Sequence, residues 1–440
     1  MADLSLYATS FNCGRELIDT TFFAANLFNA LTTNLPPDLI VLSLQELAPL
    51  GYSFLGGSLL QPYFSRFEDA VRIASDKQFG EAQYETLVVR NVGLTGIMVF
   101  AKREVAQKVR WMRTAGIGVG VAETGNKGAV GVRVALEGDD GQDEADEVLL
   151  TFVAAHLAPM EGACERRNQD WRSICEGLVF ESEAGGKGTG ERRKLGGEES
   201  APLLSTSSDN IDTKQHHHTL FYPPTHLFFL GDLNYRTSDA PPSSSAHQTW
   251  PQPTSSQEDS QHYSHLLPHD QLARELHAKR TLHNLAEAPI AFPPTYKYSS
   301  AAQKHAADTA AQERENVDEV YLWSTHRHPS WCDRILFLSS TDQPKIHAYD
   351  ALPIQPTSDH RPVALSCSVP FAPVRAAEVE APFPVRRDWR ERRQAARQKE
   401  LVVGAAVYLG WTWEGEALVL GSLVGVLGGW VVLRGLLGGA

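Results

Sequence analysis

The chain of 440 residues is short of cysteine, with five in all (Cys13, Cys164, Cys175, Cys332 and Cys367) and no CxxC pair. That scarcity excludes a disulfide scaffold and a cysteine-rich zinc module, and it suits a reducing compartment. Positive charge is also in deficit: 40 Lys plus Arg stand against 53 Asp plus Glu, for a formal net charge of −13. So acidic a chain is a poor non-specific ligand for nucleic acid, and no nucleic-acid partner is expected. No repeat of fixed period runs through the sequence, which excludes a solenoid. The start, Met-Ala-Asp-Leu-Ser, lacks a basic segment and a long apolar stretch, so no secretory signal is expected. What is present is ordinary for a globular protein, at 42% hydrophobic and 21% charged residues, and wholesale disorder is excluded.

The first 180 residues read as dense α/β structure. Leu4–Asn12 and Asp38–Glu46 are apolar stretches with polar tips, as expected of buried strands that carry chemistry at their ends. Residues 15–31, between them, have apolar positions at helical spacing. Further strands are expected at Tyr84–Val92, Leu94–Lys102, Gly128–Leu136 and Val148–His156, with the acidic run Glu137–Glu147 as a solvated hairpin loop. A helix is expected over 161–180. Residues 181–219 hold too little apolar surface to offset their ordering entropy and are read as a disordered insertion, with His216–His218 inside it as solvated residues. Residues 238–262 are read as a second such insertion and 299–315 as a surface loop. Ordered segments return at Thr225–Leu230, Cys332–Leu338 and Pro362–Val369, giving one layered α/β domain over residues 1–370.

A Pro- and Ala-rich stretch follows, then the run Arg386–Lys399 with seven basic residues, and together residues 371–400 read as a linker. Leu401–Trp413 is uncharged and mostly apolar, Glu414–Glu416 interrupts it, and Ala417–Leu433 supplies seventeen uncharged residues. A membrane span needs about 17–25 residues, so residues 401–440 are expected to form a C-terminal membrane anchor. Gly421, Gly425 and Gly429 recur every fourth residue, a surface suited to close helix packing. The basic run should stay on the cytoplasmic side, beside anionic headgroups.

Polar residues of a narrow kind end the strands. Asn12, Glu46 and His156 end three of them, and Phe228–Arg236 (FFLGDLNYR) releases Asp232 and Asn234 two residues apart. Pro329–Leu336 (PSWCDRIL) places Asp333 and Arg334 at a strand start, and Ser358–Pro362 (SDHRP) puts Asp359 beside His360. Ligands in α/β sheets gather beyond strand ends, so these groups are expected to converge. Carboxylate and amide oxygens without thiolates are hard ligands suited to Mg²⁺, and an imidazole with a carboxylate partner suits proton transfer. The sum points to metal-assisted hydrolysis of a phosphate ester.

In these residues the sequence resembles the inositol polyphosphate 5-phosphatases of the DNase I-like endonuclease, exonuclease and phosphatase superfamily. Phe228–Arg236 fits one family signature with Phe229 in place of Trp, and Arg327–Leu336 fits the other throughout. Gln45-Glu46, Thr124–Gly128 (TGNKG), His156-Leu157, Thr295–Tyr298 (TYKY) and Ser358–Pro362 match as well. The resemblance implies a DNase I-like four-layer sandwich of two mixed β-sheets flanked by helices. It implies Glu46 as the Mg²⁺ ligand with Asn12 and Asp359 near the metal, and Asp232, Asn234, Asp333, His360 and His156 as catalytic residues. Lys127 and Lys297 match lysines that read ring phosphates, while Arg334 is read as structural. Here Phe11-Asn12-Cys13-Gly14 departs from the family's Trp-Asn-x-Asn, which puts metal affinity in question more than reaction type. The implied activity is removal of the 5-phosphate from phosphatidylinositol 4,5-bisphosphate, and the trisphosphate lipid or soluble inositol polyphosphates fit the same residues. An anchored cytosolic domain on the endoplasmic reticulum is implied by likeness to fungal members. A nuclease or sphingomyelinase of the superfamily, or an inactive phosphoinositide-binding scaffold, are the alternatives.

Overall fold

The computed structural model describes residues 3–80, 84–138, 147–181, 218–254, 256–311, 321–375 and 380–437. The strands, in chain order, are β1 (Leu4–Asn12), β2 (Leu39–Gln45), β3 (Tyr84–Val92), β4 (Thr95–Lys102), β5 (Val109–Gly118), β6 (Gly128–Leu136), β7 (Val148–His156), β8 (His226–Asp232), β9 (Leu285–Glu287), β10 (Asp333–Leu338), β11 (Lys345–Ala351) and β12 (Val363–Val369). The helices are α1 (Thr20–Asn26), α2 (Leu50–Leu55), α3 (Gln61–Phe79), α4 (Arg103–Ala106), α5 (Cys164–Gly177), α6 (Gln271–His277), α7 (Ser300–Ala311), α8 (Trp389–Trp411) and α9 (Trp413–Leu437).

Alternation along each strand dictates the layers, because successive side chains point to opposite faces. On β1, Leu6 and Ala8 enter one core, and Tyr7 and Phe11 enter another with Phe23 and Phe67 of α1 and α3. On β8, Phe228 and Leu230 join that first core, while Leu227 and Phe229 pack with Trp171 and Ile174 of α5. The shared core therefore lies between two sheets, ordered β11-β12-β1-β2-β4-β3 and β5-β6-β7-β8-β10-β9. Both are mixed: β1 runs parallel to β2 and antiparallel to β12, and β7 runs parallel to β8. This is the DNase I-like four-layer sandwich.

Register sets the site. Asn12 pairs with Gln45 at the ends of β1 and β2, His156 pairs with Asp232 at the ends of β7 and β8, and Asp333 opens β10 opposite Asp232. The chemistry-bearing tips of both sheets thus leave the sandwich at one edge.

Three expectations are corrected. Residues 238–262 are not a disordered insertion: Trp250 is buried against Tyr298, Tyr321 and Trp323, and Trp323 donates its indole N–H to Pro251 O at 2.7 Å. Residues 300–311 form α7, whose Ala302 and Ala306 face the same aromatic cluster. The basic run is not a free linker, because it is the first half of α8, which continues unbroken through the apolar residues to Trp411. Aromatic contacts in the first two cases, and docking on α2 in the third, supply burial that local composition does not reveal. Of the 181–219 insertion, residues 182–217, including His216 and His217, lie outside the described residues, as does most of the acidic run. His218 forms a bridge with Phe180 and sets its ring edge-on to Trp111.

Candidate active site

Two non-glycine residues hold a left-handed backbone at the strand ends: Glu46 at φ 45° just past β2, and Asn234 at φ 57° just past β8. Such conformations cost stability and persist where the surroundings over-determine them, commonly at functional sites. Glu46 receives Arg15 Nε at 2.9 Å and Lys127 Nζ at 3.5 Å. Asn234 is fixed by its side chain donating to Leu157 O at 3.2 Å, and by the buried Arg236 on its carbonyl and amide oxygens.

Asp232 is buried and densely satisfied. Asn12 donates to one carboxylate oxygen at 2.8 Å, the Asn234 backbone N–H donates to the other at 3.1 Å, and His156 Nε2 lies 3.2 Å away. Burial alone would raise the Asp232 pKa, but contact with His156, His360 and Lys127 outweighs it and holds the carboxyl well below its ordinary range. Lys127 Nζ sits 2.6 Å from His156 Nε2. Burial, and then Lys127, lower the His156 pKa against the opposing pull of Asp232.

His360 closes the other side. Its Nδ1 is 2.8 Å from Asp333, whose carboxylate also accepts from Thr295 Oγ1 at 2.7 Å. Its Nε2 is 4.0 Å from both Asp232 and Asp359. Burial opposes charge on His360, yet Asp333 and Asp232 override it and push the imidazole pKa up to about 9. Ser358 ties this segment to β1 by donating to Asn12 O at 2.6 Å while accepting the His360 N–H at 3.1 Å. Lys297 is ion-paired with Asp359, and Asp359 raises the Lys297 pKa against the opposing effect of burial.

The structure therefore brings Asn12, Glu46, Lys127, His156, Asp232, Asn234, Asp333 and His360 into one contact network, with Asp359 and Lys297 as a pair at its margin. Arg334 is buried between Asp270 and Glu287, at 3.0 and 2.5 Å, away from these groups. Thr295, Ser358, Arg236 and Arg15 were not singled out from the sequence. The first three lie inside the quoted motifs, which was the available signal; Arg15 stands in none.

The donors suit a hard cation. Asp333 Oδ1 is buried without a hydrogen-bond partner, and ligand atoms of Asp232, Asp333 and His360 lie within 4.8 Å of one another. The nearby thiols, Cys13 and Cys332, are buried and turned onto Phe11 O at 3.7 Å and Tyr235 O at 3.8 Å, leaving oxygens and imidazoles as donors.

A sandwich with this polar edge defines a DNase I-like protein. Residues 9–366 match endonuclease/exonuclease/phosphatase family 2. The chain belongs to that family. It is 30% identical over 286 residues to human phosphatidylinositol 3,4,5-trisphosphate 5-phosphatase 1, covering 64% of this chain and 19% of that protein. It is 26% identical over 301 residues to mouse type II inositol 1,4,5-trisphosphate 5-phosphatase, covering 68% of this chain and 24% of that protein. The chain thus spans about a fifth to a quarter of the length of these curated relatives. The SPsynaptojanin 5-phosphatase domain, solved with inositol (1,4)-bisphosphate and calcium, shares the fold at a TM-score of 0.57 and 20% identity, covering 91% of this chain and 90% of that one.

Proposed function

We propose that this chain is a Mg²⁺-dependent phosphoinositide 5-phosphatase acting foremost on phosphatidylinositol 4,5-bisphosphate, held to a membrane by its C-terminus. The observation that carries the reading is Lys127 of the TGNKG motif, 2.6 Å from His156 and 3.5 Å from Glu46, set among the carboxylates and imidazoles of the site. A cation on an ordered loop beside that site suits a substrate with several phosphates. Lys297, paired with Asp359, stands as the second such cation.

Glu46 would hold Mg²⁺, with Asn12 and Asp359 close by, and a metal bound there would supply polarisation of the phosphoryl oxygen and stabilisation of developing charge. Asp232, ionised and fixed by Asn12 and Asn234, orients the attacking water and receives its proton. His360, charged and held by Asp333, faces the scissile phosphate and stabilises the pentavalent phosphorus. The 5-phosphate leaves as inorganic phosphate and the ring keeps a hydroxyl.

The anchor rests on Trp413–Arg434, a helical stretch with mean hydropathy 1.9, long and apolar enough to cross a membrane by length and composition. Tethering keeps the site near lipid headgroups at high effective concentration, which favours a lipid substrate. The endoplasmic reticulum is the proposed membrane.

The test is phosphate release by the full chain, with Mg²⁺ and with chelator. The substrates are vesicles of phosphatidylinositol 4,5-bisphosphate, vesicles of the trisphosphate lipid, soluble inositol 1,4,5-trisphosphate and abasic duplex DNA. Mg²⁺-dependent release, fastest from the bisphosphate vesicles, is expected. Cleavage of DNA alone would make the protein a nuclease, and silence on all four would leave an inactive scaffold.

A further inference from the structure

The segment that reads as a basic linker docks on the catalytic domain, and it does so beside the loop that carries Lys127. Trp389, Ala396, Glu400 and Gly404 are the buried residues of α8, at the spacings that align on one helical face. Gly404 permits close approach to α2: a Cβ there would meet Phe54 Cβ at 2.8 Å. Arg397 donates to Phe54 O at 2.6 Å and to Leu55 O at 3.3 Å, supplying donors to the last carbonyls of α2. Lys399 donates to Ala122 O at 3.2 Å, and Arg392 pairs with Glu123, both on the loop before TGNKG.

Glu400 is the central contact. It is only 5% exposed, although glutamate is almost never buried without a partner. One carboxylate oxygen accepts the Gly125 N–H at 2.7 Å, and the other takes Arg397 at 3.2 Å. A relay of backbone hydrogen bonds runs on from Gly125: its carbonyl accepts Leu94 N–H at 2.9 Å, and Leu94 O accepts Leu47 N–H at 3.1 Å. Leu47 adjoins Glu46, and Gly125 stands two residues before Lys127. The brace thus reaches the loops that carry both Lys127 and Glu46.

We propose that α8, which lies outside the matched family region of residues 9–366, is a brace that positions the Lys127 loop, and that Glu400 is the positioning residue through which it acts. Removing the acceptor oxygen would leave the buried Gly125 N–H without its partner, and an unpaired buried donor is costly, so its loss should free the loop. The membrane-proximal helix and the phosphate-reading lysine then form one mechanical unit, and the tail orients the site as well as tethering it. The kinetic consequence rests on the phosphatase reading; the loop ordering does not.

The test compares full-chain wild type, Glu400→Ala, Glu400→Asp and Glu400→Gln in detergent micelles. Soluble inositol 1,4,5-trisphosphate is the substrate, so membrane tethering cannot move the result. Glu400→Ala should raise KM about tenfold while kcat stays within about twofold. Glu400→Gln, which still offers an acceptor oxygen, should restore KM. Glu400→Asp keeps the charge one methylene short of Gly125 and should behave like Ala, which keeps the test open should the Ala variant not fold. Amide exchange should accelerate about tenfold across residues 120–128 in the Ala and Asp variants, with β6 beyond unchanged. Unchanged exchange in a folded Ala or Asp variant would overturn the brace. If the wild type released no phosphate, the phosphatase reading would fail, and exchange alone would decide the brace.

Discussion

Asp232 owes its chemistry to neighbours that arrive from distant parts of the chain. Asn12 comes from 220 positions away, and His156 arrives through strand register. These contacts keep the carboxylate ionised in a buried site, so replacing its charge while keeping its shape isolates its role. Asp232→Asn is expected to lower kcat by about a thousandfold with little change in KM, the scale of a lost proton acceptor. Near-wild-type turnover in a folded variant would remove Asp232 from the mechanism. His360 and Asp333 carry the pH dependence. The His360 pKa rises on folding from 6.5 to about 9, so the folded state binds the proton more tightly. The stability that His360 contributes is therefore fully present below about pH 6.5 and is lost as pH rises through about 9. Denaturant midpoints of the chelator-treated protein should fall across that window, and His360→Asn should flatten the fall; an equal slope in the variant would refute the assignment. The acids and histidines of this site were legible because their motifs carry them. Arg15, Thr295 and Ser358 were less so, since Thr295 acts on Asp333 and Ser358 on Asn12 across 38 and 346 positions.

Strands were the most legible elements because two-faced burial leaves dense apolar runs with informative tips. The stretches expected at 4–12, 84–92, 128–136 and 148–156 coincide with β1, β3, β6 and β7. What local pattern could not show is burial supplied by distant residues, as in the Trp250 cluster and on α8. The signature FFLGDLNYR illustrates a residue whose reason appears only in the sheet. Gly231 faces Ala155 on the parallel neighbour, and a Cβ there would lie 1.9 Å from Ala155 O. No side-chain rotation relieves a clash with backbone, so Gly231→Ala must push β8 from β7 and move Asp232 with it. We expect a loss of about 1–3 kcal/mol in denaturant unfolding together with a fall in kcat. Wild-type stability would mean the strands can part at no cost.

At the scale of the whole molecule, the hydrophobic C-terminus resolves into two helices of different character. Thr412, with extended backbone at φ −120° and ψ 146°, separates α8 from α9. The first helix is anchored to the domain by Glu400, Gly404 and the Tyr52–Tyr408 ring contact at 5.9 Å. The second is exposed along its candidate span, and a Cβ added at Gly421, Gly425 or Gly429 would meet none of the described residues. Among the described residues only Trp413–Arg434, within α9, has the length and apolarity of a span, so the anchor proposed for residues 401–440 narrows to the part after Thr412. Deleting residues 412–440 should then leave the brace in place and remove the tether. The shortened chain should appear in the soluble fraction and hydrolyse soluble inositol 1,4,5-trisphosphate within about twofold of the full chain, because Glu400 still holds Gly125. On vesicles its rate should fall by about a hundredfold, the effective concentration that a tether supplies. Should the truncated protein still sediment with carbonate-washed membranes as the full chain does, α9 would not be the anchor. The exposed residues of α8, Val402 and Trp411 foremost, would then be the surface that holds this protein to lipid.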